Sequence, residues 1–252
     1  MCLVLFAYQV HPIYKLMVAA NRDEFYQRPT APVHYWEDDP EILAGRDLEK
    51  LGTWMGVSKS GRFAALTNYR DPKEVTEGKR SRGELVANAL QYKGDIKGYM
   101  QSLVSNNDWY PGYNLLAGDG DELYYYSNVG QELIKVAPGI YGVSNHLLNT
   151  EWPKVQTGKE GLADILISNQ EDYVEPLLTL LQKADQAQDE KLPQTGVSLE
   201  WERMLSPMFI KSEHYGTRSS TVLLMDEKEI QYVERVFTFS EVNTQKYKIE
   251  WK

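Results

Sequence analysis

Cysteine is almost absent from this chain: there is one in 252 residues, at position 2 of the opening stretch MCLVLFAYQV. A single thiol closes no intramolecular disulfide and builds no cysteine-rich zinc site, and such usage fits a reducing compartment. Histidine is scarce as well. His11, His34, His146 and His214 are scattered without HExxH or any other metal spacing, so neither a metal nor a cofactor is expected. Basic residues are outnumbered, 27 Lys and Arg against 36 Asp and Glu, for a net charge of −9. With no basic run of the kind that tracks a phosphate backbone, a nucleic-acid partner is not expected. Long hydrophobic runs are missing too. The opening stretch is apolar for about seven residues, has no basic n-region and enters Tyr8-Gln9-Val10-His11-Pro12, which reads as neither signal peptide nor membrane span. A cytoplasmic location is expected. No repeat and no Pro/Gly/Ser-rich linker divides the chain, and its most polar stretch, QKADQAQDEKLPQTG, is short enough to be a surface connection. Residues 1–252 therefore read as one domain.

The composition is that of a globular chain, 42% hydrophobic and 25% charged. At this length a core buries about three quarters of the unfolded chain's surface. The aromatic share is weighted to tyrosine, 17 against 6 Phe and 6 Trp. An apolar ring with a polar tip suits strand faces and the walls of clefts.

MCLVLFAYQV and YKLMVAANRD are β-type runs separated by His11-Pro12-Ile13, which predicts a hairpin whose second strand ends at Asn21. Cys2 then lies level with Ala20 to Glu24, because residues of antiparallel strands sit opposite one another. TWMGVS and RFAALTN predict a second hairpin about the turn KSG, with Asn68-Tyr69-Arg70 at its exit. SRGELVANALQ and DIKGYMQSLV have helical spacing. YNLLAG, ELYYYSN, LIKVAPG and IYGVSN predict a meander with Gly-rich turns. WPKVQTGKEGLADILI and EDYVEPLLTLLQKA are helical again, and STVLLMDEKEIQYVERVFTF closes with a hairpin. This order of elements is that of a layered α+β protein with antiparallel sheets.

A thiol at position 2 is most simply a small apolar residue at the start of a strand. Removal of Met1 gives it a second use, since Cys2 then carries a free α-amine. An α-amine has a pKa near 7.7–8.0, so at neutral pH it can take the thiol proton directly or through one water. The thiolate attacks, and nearby cations raise its population. A carboxylate to orient the amine and donors for an oxyanion complete the requirement. AANRDEF offers Arg22, Asp23 and Glu24 at the strand end opposite Cys2. ALTNYRD and YGVSNH each end a β-type run in an asparagine, Asn68 and Asn145. HYGTRSS adds Arg218. Taken singly, each has a plain reading, as a turn residue or a solvated ion pair. Arg46 and Asp47 sit in a loop before a strand, as cleft lining or as an ion pair. Glu200 and Glu202 fit a packed surface helix. Glu24, Tyr69 and His146 neighbour the candidates closely enough to line a cleft, and His146 and His214 read as rim residues.

Together, NRDE, AGRDLEKLGTWMGVSKSGRFAALTNYRDP, YGVSNHLLN, LPQTGVSLEWERMLSPMFI and YGTRSSTVLLMD resemble the NRDE family, whose eukaryotic members are called transport and Golgi organisation protein 2. The resemblance runs from Met1 to about Phe239. That family is in turn similar to the cysteine N-terminal-nucleophile hydrolases, which implies an αββα sandwich of two antiparallel sheets between helix layers. It also implies roles: Cys2 as nucleophile, Arg22 as the arginine after the second strand, Asn68 and Asn145 near the oxyanion, and Arg218 as the late arginine. The hydrolases carry an orienting aspartate three residues after that arginine, where this chain has Phe25, so Asp23 or Glu24 takes its place. The implied activity is hydrolysis of a non-peptide amide or related acyl bond in a small-molecule substrate. The alternative is a carrier of haem or of a lipid-derived acyl compound on the same fold. The sequence leaves the oligomeric state open.

Overall fold

The computed structural model describes residues 2–168, 170–238 and 241–251, apart from the side chain of residue 107. β1 (Cys2–Tyr8) and β2 (Leu16–Phe25) form the expected hairpin, with Cys2 opposite Arg22 and Tyr8 opposite Leu16. β2 runs four residues beyond Asn21, so Arg22, Asp23 and Glu24 are strand residues rather than turn residues. The extension exists because β2 is paired on both sides. Its second neighbour is β11 (Tyr215–Met225), which in turn pairs with β12 (Glu229–Phe237). β13 (Val242–Glu250) and β10 (Gly139–Val143) complete a six-stranded antiparallel sheet in the order β10-β1-β2-β11-β12-β13.

The second sheet has seven antiparallel strands in sequence order. They are β3 (Thr30–Tyr35), β4 (Ile42–Asp47), β5 (Met55–Ser58), β6 (Phe63–Asn68), β7 (Tyr113–Gly118), β8 (Leu123–Ser127) and β9 (Leu133–Lys135). Three strands were not legible in the sequence: β3, β4 and β13. Polar residues interrupt the alternation of β3 and β13, and β4 carries Arg46 and Asp47 at its end rather than in a loop. The four-strand meander is also corrected. β7 to β9 form it, but β10 crosses to the edge of the first sheet beside β1. The crossing follows Ala137-Pro138-Gly139, where proline has no N–H to continue a ladder.

Strand alternation sends successive side chains to opposite faces and so sorts the core into layers. Val4, Phe6, Val18 and Ala20 of the first sheet meet Leu43, Met55, Val57, Phe63 and Leu116 of the second in the inter-sheet core. Leu3, Leu5, Ala7, Met17 and Ala19 point the other way. They pack with α3 (Pro153–Ile167) and α4 (Val174–Leu181) through Val155, Leu162, Leu177 and Leu178. On the far face of the second sheet, α1 (Gly83–Gln91) and α2 (Ile96–Val104) cover Ile42, Ala64, Leu115 and Tyr126 with Leu85, Leu90, Met100 and Leu103. The result is the four-layer αββα sandwich. A short α5 (Leu199–Leu205), capped by Ser198, lies beyond α4 in the chain.

β1 is buried on both faces, with Leu3, Val4, Leu5 and Phe6 each at most 3% exposed. Burying four such side chains is worth about 6–12 kcal/mol gross, so the segment that carries Cys2 is firmly anchored. Among the described residues, no helix is long and apolar enough to cross a membrane.

Candidate functional site around Cys2

Cys2 has the parity of Val4 and Phe6, so its side chain enters the space between the sheets at the open end of the inter-sheet core. Its cross-strand partner Arg22 faces the same way. The backbone of Cys2 is held a third time, by Ser144 at the end of β10, whose hydroxyl donates to the Cys2 carbonyl at 3.0 Å. Cys2, Arg22, Asp23, Glu24 and Asn68 line one cleft of about 460 Å³.

Arg22 is 6% exposed, and its guanidinium lies 4.3 Å over the ring of Trp54. Trp54 can lie flat there because Gly45 has no side chain: a Cβ at Gly45 would come within 2.4 Å of the indole. Glu24, two residues on and on the same strand face, approaches Arg22 at 3.9 Å. One nitrogen of Arg22, Nη1, is buried without a protein partner. Asp23, between them in sequence, points to the helix layer. It is 1% exposed and accepts a hydrogen bond from Thr217 Oγ1 at 2.7 Å. Phe25 carries no carboxylate and is exposed, packed edge-on against Tyr215 at 5.1 Å.

Asn145 is fully buried and tied into the same network. Its amide donates to the Asn68 carbonyl at 3.0 Å, and its side-chain oxygen accepts from Ser144 at 3.2 Å. A hydrogen-bonded chain therefore runs from Cys2 through Ser144 and Asn145 to Asn68, joining the two sheets.

Four candidates, Arg218, Arg46, Tyr69 and His146, stand outside this cleft. Arg218 is the extra residue of a β-bulge between Thr217 and Ser219, which leaves Ser219 opposite Arg22. The Arg218 guanidinium donates to the carbonyls of Phe25 at 2.9 Å and Arg28 at 3.0 Å, holding the turn after β2. It lines a neighbouring cavity of about 250 Å³ that shares Arg22 and Trp54 with the cleft. Arg46 pairs with Asp38 and stacks over Trp36 at 4.1 Å, the ion-pair alternative of the sequence reading. The rings of Tyr69 and His146 lie 5.0 Å apart, tilted by 38°, and His146 Nδ1 bonds Thr150 Oγ1. Burial raises the Tyr69 hydroxyl and lowers the His146 imidazole. His214 is exposed beside Glu213.

The sequence reading missed the cations of the cleft. Besides Arg22, it is lined by Arg28, Lys50, Lys79, Arg80 and Arg82, six cations against Asp23, Glu24 and Asp47. The signal was the run Lys79-Arg80-Ser81-Arg82, too short to mark a nucleic-acid face but enough to charge one wall. Arg28 is spent in part on Asp47, at 2.6 Å, and Arg82 donates to the Gly112 carbonyl at 3.0 Å. Lys79 reaches Glu74 at 3.3 Å.

Behind Cys2, on the helix side, lies a buried set of charges that was also missed. Arg70 and Glu202 pair at 2.7 Å with side chains 6% and 5% exposed. Arg70 stacks over Trp152 at 4.8 Å, and Glu202 also accepts from Thr195 N and Oγ1. Glu202 is thus an inward-facing residue of α5, correcting its reading as part of a surface helix. Lys154 is 5% exposed.

Burial is the dominant influence on the thiol and pushes its pKa up; Asp23 and Glu24 push the same way, while Arg22 pulls it down. Burial likewise raises Asp23, against the pull of Lys154, Thr217 and Arg22. Among the described residues, no group of three or more His, Cys, Asp or Glu side chains is arranged to hold a metal.

The chain is similar to the solved structure of a mutant conjugated bile acid hydrolase from Clostridium perfringens, with a TM-score of 0.52 and 9% identity over 100% of this chain and 97% of that one. It is also similar to the Caenorhabditis elegans orthologue of N-acylethanolamine-hydrolyzing acid amidase, with a TM-score of 0.52 and 8% identity over 88% and 92% of the two chains. At such identities the likeness is one of fold, and the fold is that of N-terminal-nucleophile hydrolases. Sequence relatives are nearer. The Transport and Golgi organization protein 2 homologues of Bos taurus and Homo sapiens are 35% and 34% identical, each over 93% of this chain and 92% of the relative. The family model described as Transport and Golgi organisation 2 matches residues 1–238. The chain belongs to the Transport and Golgi organisation 2 family.

Proposed function

We propose that the protein is an N-terminal-cysteine amidohydrolase that cleaves a non-peptide C–N bond in a small acyl compound bearing an anionic group. The observation that carries this reading is the placement of Cys2: a strand-anchored thiol opposite Arg22, in a cleft where six cations face three acids. Such an excess, in a chain of net charge −9, draws an anion to this one place.

With Met1 removed, the α-amine of Cys2 takes the thiol proton as sulfur attacks the substrate carbonyl carbon. The burial that raises the thiol's pKa makes a base at this step necessary. The negative charge that develops on the carbonyl oxygen is met by the amide of Asn68 on the cleft wall, whose backbone is fixed by Asn145. As the intermediate collapses, the C–N bond breaks, and the leaving nitrogen takes the proton held by the α-amine. An acyl thioester on Cys2 remains. Water, giving its proton to the same amine, then attacks the thioester, releasing the acid and restoring the thiol. Asp23, which borders the cleft while its carboxylate turns to Thr217, orients the amine, and Glu24 holds Arg22 in place.

A second reading, a carrier of haem or a lipid-derived acyl compound, draws support from the same cations, which suit an anionic ligand held without turnover. An electrophilic acyl probe separates the two. The hydrolase reading expects labelling at Cys2 at neutral pH, loss of labelling and turnover in Cys2→Ala, and loss of both when an N-terminal tag blocks methionine removal. Intact mass of the protein from its native host should show Met1 gone. Retained Met1 in active protein, or ligand binding undiminished in Cys2→Ala without any turnover in the wild type, refutes the hydrolase and leaves the carrier.

A further inference from the structure

One of the motifs that carry the family resemblance, LPQTGVSLEWERMLSPMFI over 192–210, supplies no residue to the chemistry proposed above. Its hydrogen bonds lead to the elements around the site. Lys154 at the start of α3 donates to the Leu205 carbonyl at 2.9 Å, the Asn21 amide of β2 donates to the Met208 carbonyl at 2.7 Å, and the Ile210 N–H donates to Thr217 Oγ1 of β11 at 2.9 Å. Two further contacts reach the residues that follow β6. Glu202 pairs with Arg70 at 2.7 Å, both side chains being buried. Gly196 lies against Pro72: a Cβ there would stand 3.2 Å from the proline ring, and its φ of +94° lies where only glycine sits without strain. Both contacts fall on Arg70-Asp71-Pro72, just after Asn68.

Asn68 ends β6 of the second sheet, and Asn145 follows β10 of the first. The Asn145 side-chain amide donates to the Asn68 carbonyl at 3.0 Å, and the Arg70 N–H donates to the main-chain carbonyl of Asn145 at 2.8 Å. These two bonds close a ring between residues 68–70 and Asn145. Arg70 is one corner of that ring, and its side chain runs on to an anchor outside it. The guanidinium stacks over Trp152 at 4.8 Å and meets the Glu202 carboxylate, which is itself fixed on α5 by the Thr195 N–H at 2.9 Å and the Thr195 hydroxyl at 2.6 Å. A bond between two ionised groups is stronger than one between neutral partners, so the pair is the firmest of the contacts that hold the ring from outside.

We infer that Glu202 is a positioning residue: acting through Arg70, it fixes the ring of Asn68 and Asn145 and so places the Asn68 amide against the oxyanion, a role that rests on the part given to Asn68 above. A donor stabilises an oxyanion only from hydrogen-bond distance of the place where the charge develops. A shift of about 1 Å in such a group can cost on the order of 100-fold in rate. The motif 192–210 thereby gains a function: Thr195 and α5 present Glu202, and Gly196 seats the same segment on Pro72.

The test uses the full chain, well below the melting range of each variant, and compares two reactions of Cys2. Acylation by p-nitrophenyl acetate passes through an oxyanion. Alkylation by iodoacetamide displaces iodide at a saturated carbon and develops none. Glu202→Gln should slow acylation by about 10–100-fold, short of the loss of the donor itself, and leave alkylation within about twofold of wild type. In Asn68→Ala, which removes the donor, Glu202→Gln should slow acylation no further, as expected of residues acting in series. If Glu202→Gln does not fold, Thr195→Val removes only the hydroxyl bond to Glu202 and should give the same pattern on a smaller scale. A merely structural Glu202 would leave both reactions unchanged in the folded protein or slow both alike, and either result overturns the inference. A second readout is the side-chain amide NMR signal of Asn68, which should move in both variants. If wild-type Cys2 does not acylate, the hydrolase reading falls, and the Asn68 signal still decides: a signal unmoved in Glu202→Gln overturns the positioning role.

Discussion

Glu202→Gln should be among the most destabilising single changes in this protein that remove no apolar atom. The Glu202 carboxylate makes three contacts: the Arg70 guanidinium at 2.7 Å, the Thr195 amide at 2.9 Å and the Thr195 hydroxyl at 2.6 Å. Glutamine keeps the shape and can still accept from Thr195, so the change isolates the charge. What it leaves is Arg70, 6% exposed, stacked on Trp152, with a buried Nε that has no partner of its own. Removing one member of a buried ion pair typically costs about 3–5 kcal/mol, because the surviving charge is uncompensated. For a chain of this size that is a fall in Tm of roughly 6–20 °C. Urea titration followed by tryptophan fluorescence and far-ultraviolet circular dichroism measures it, and coincident transitions in both probes justify a two-state treatment. The double variant Arg70→Met, Glu202→Leu should recover most of the loss, since apolar replacement of a whole buried pair is often neutral or better. A loss below about 1 kcal/mol in Glu202→Gln would refute the reasoning, for it would mean that water reaches the pair.

Gly45→Ala should push Trp54 off its place and loosen Arg22, which slows acylation of Cys2; unchanged labelling with the Trp54 fluorescence shifted would detach Arg22 from the thiol. Glu234, 1% exposed, accepts the Val33 N–H at 2.6 Å, and burial raises its pKa above the ordinary 4.5. Its folded form holds the proton more tightly than the unfolded chain does, so its contribution to stability is full below 4.5 and falls as pH rises through the folded value. Urea midpoints measured across that range should drop less for Glu234→Gln than for wild type, and parallel curves would refute this. Lys50→Gln removes an exposed cation from the cleft wall and should weaken an anionic probe by about two- to fivefold, an effect screened by salt; equal weakening of a neutral probe would exclude an electrostatic cause.

Much of the architecture was legible because it is written locally. The β1–β2 hairpin, the β5–β6 hairpin and α1 to α5 each announce themselves by periodicity and turn residues, and the level of Cys2 with Arg22 follows from counting back from one turn. β3, β4 and β13 were missed because their polar residues, such as His34, Arg46 and Lys246, break the alternation, while neighbouring strands supply the hydrogen bonds that make them strands. The crossing of β10 was illegible for a different reason: four Gly-punctuated strands in a row look alike whether the last stays or leaves. Asn145 reaches Asn68 only through that crossing. The buried charges Lys154, Arg70 and Glu202 lie on three separate segments, and each alone reads as an ordinary surface residue. The bulge at Arg218 shifts a guanidinium from one face to another, and no residue pattern marks it.

The pairing of β2 with β11 also has a meaning in time. Asp23 and Thr217, bonded in the folded protein, are 194 positions apart in the chain. At about 5–20 residues per second of synthesis, the open edge of β2 waits roughly 10–40 s on the ribosome for its neighbour. Over that interval β1 can already hold Cys2 beside Arg22, since their contact closes a short loop at little entropic cost. The carboxylate behind them, however, has no Thr217 to bind it and no 205–210 segment to cover it. The nascent chain therefore carries its thiol in a half-built setting, and the site is completed only when nearly the whole polypeptide has been made.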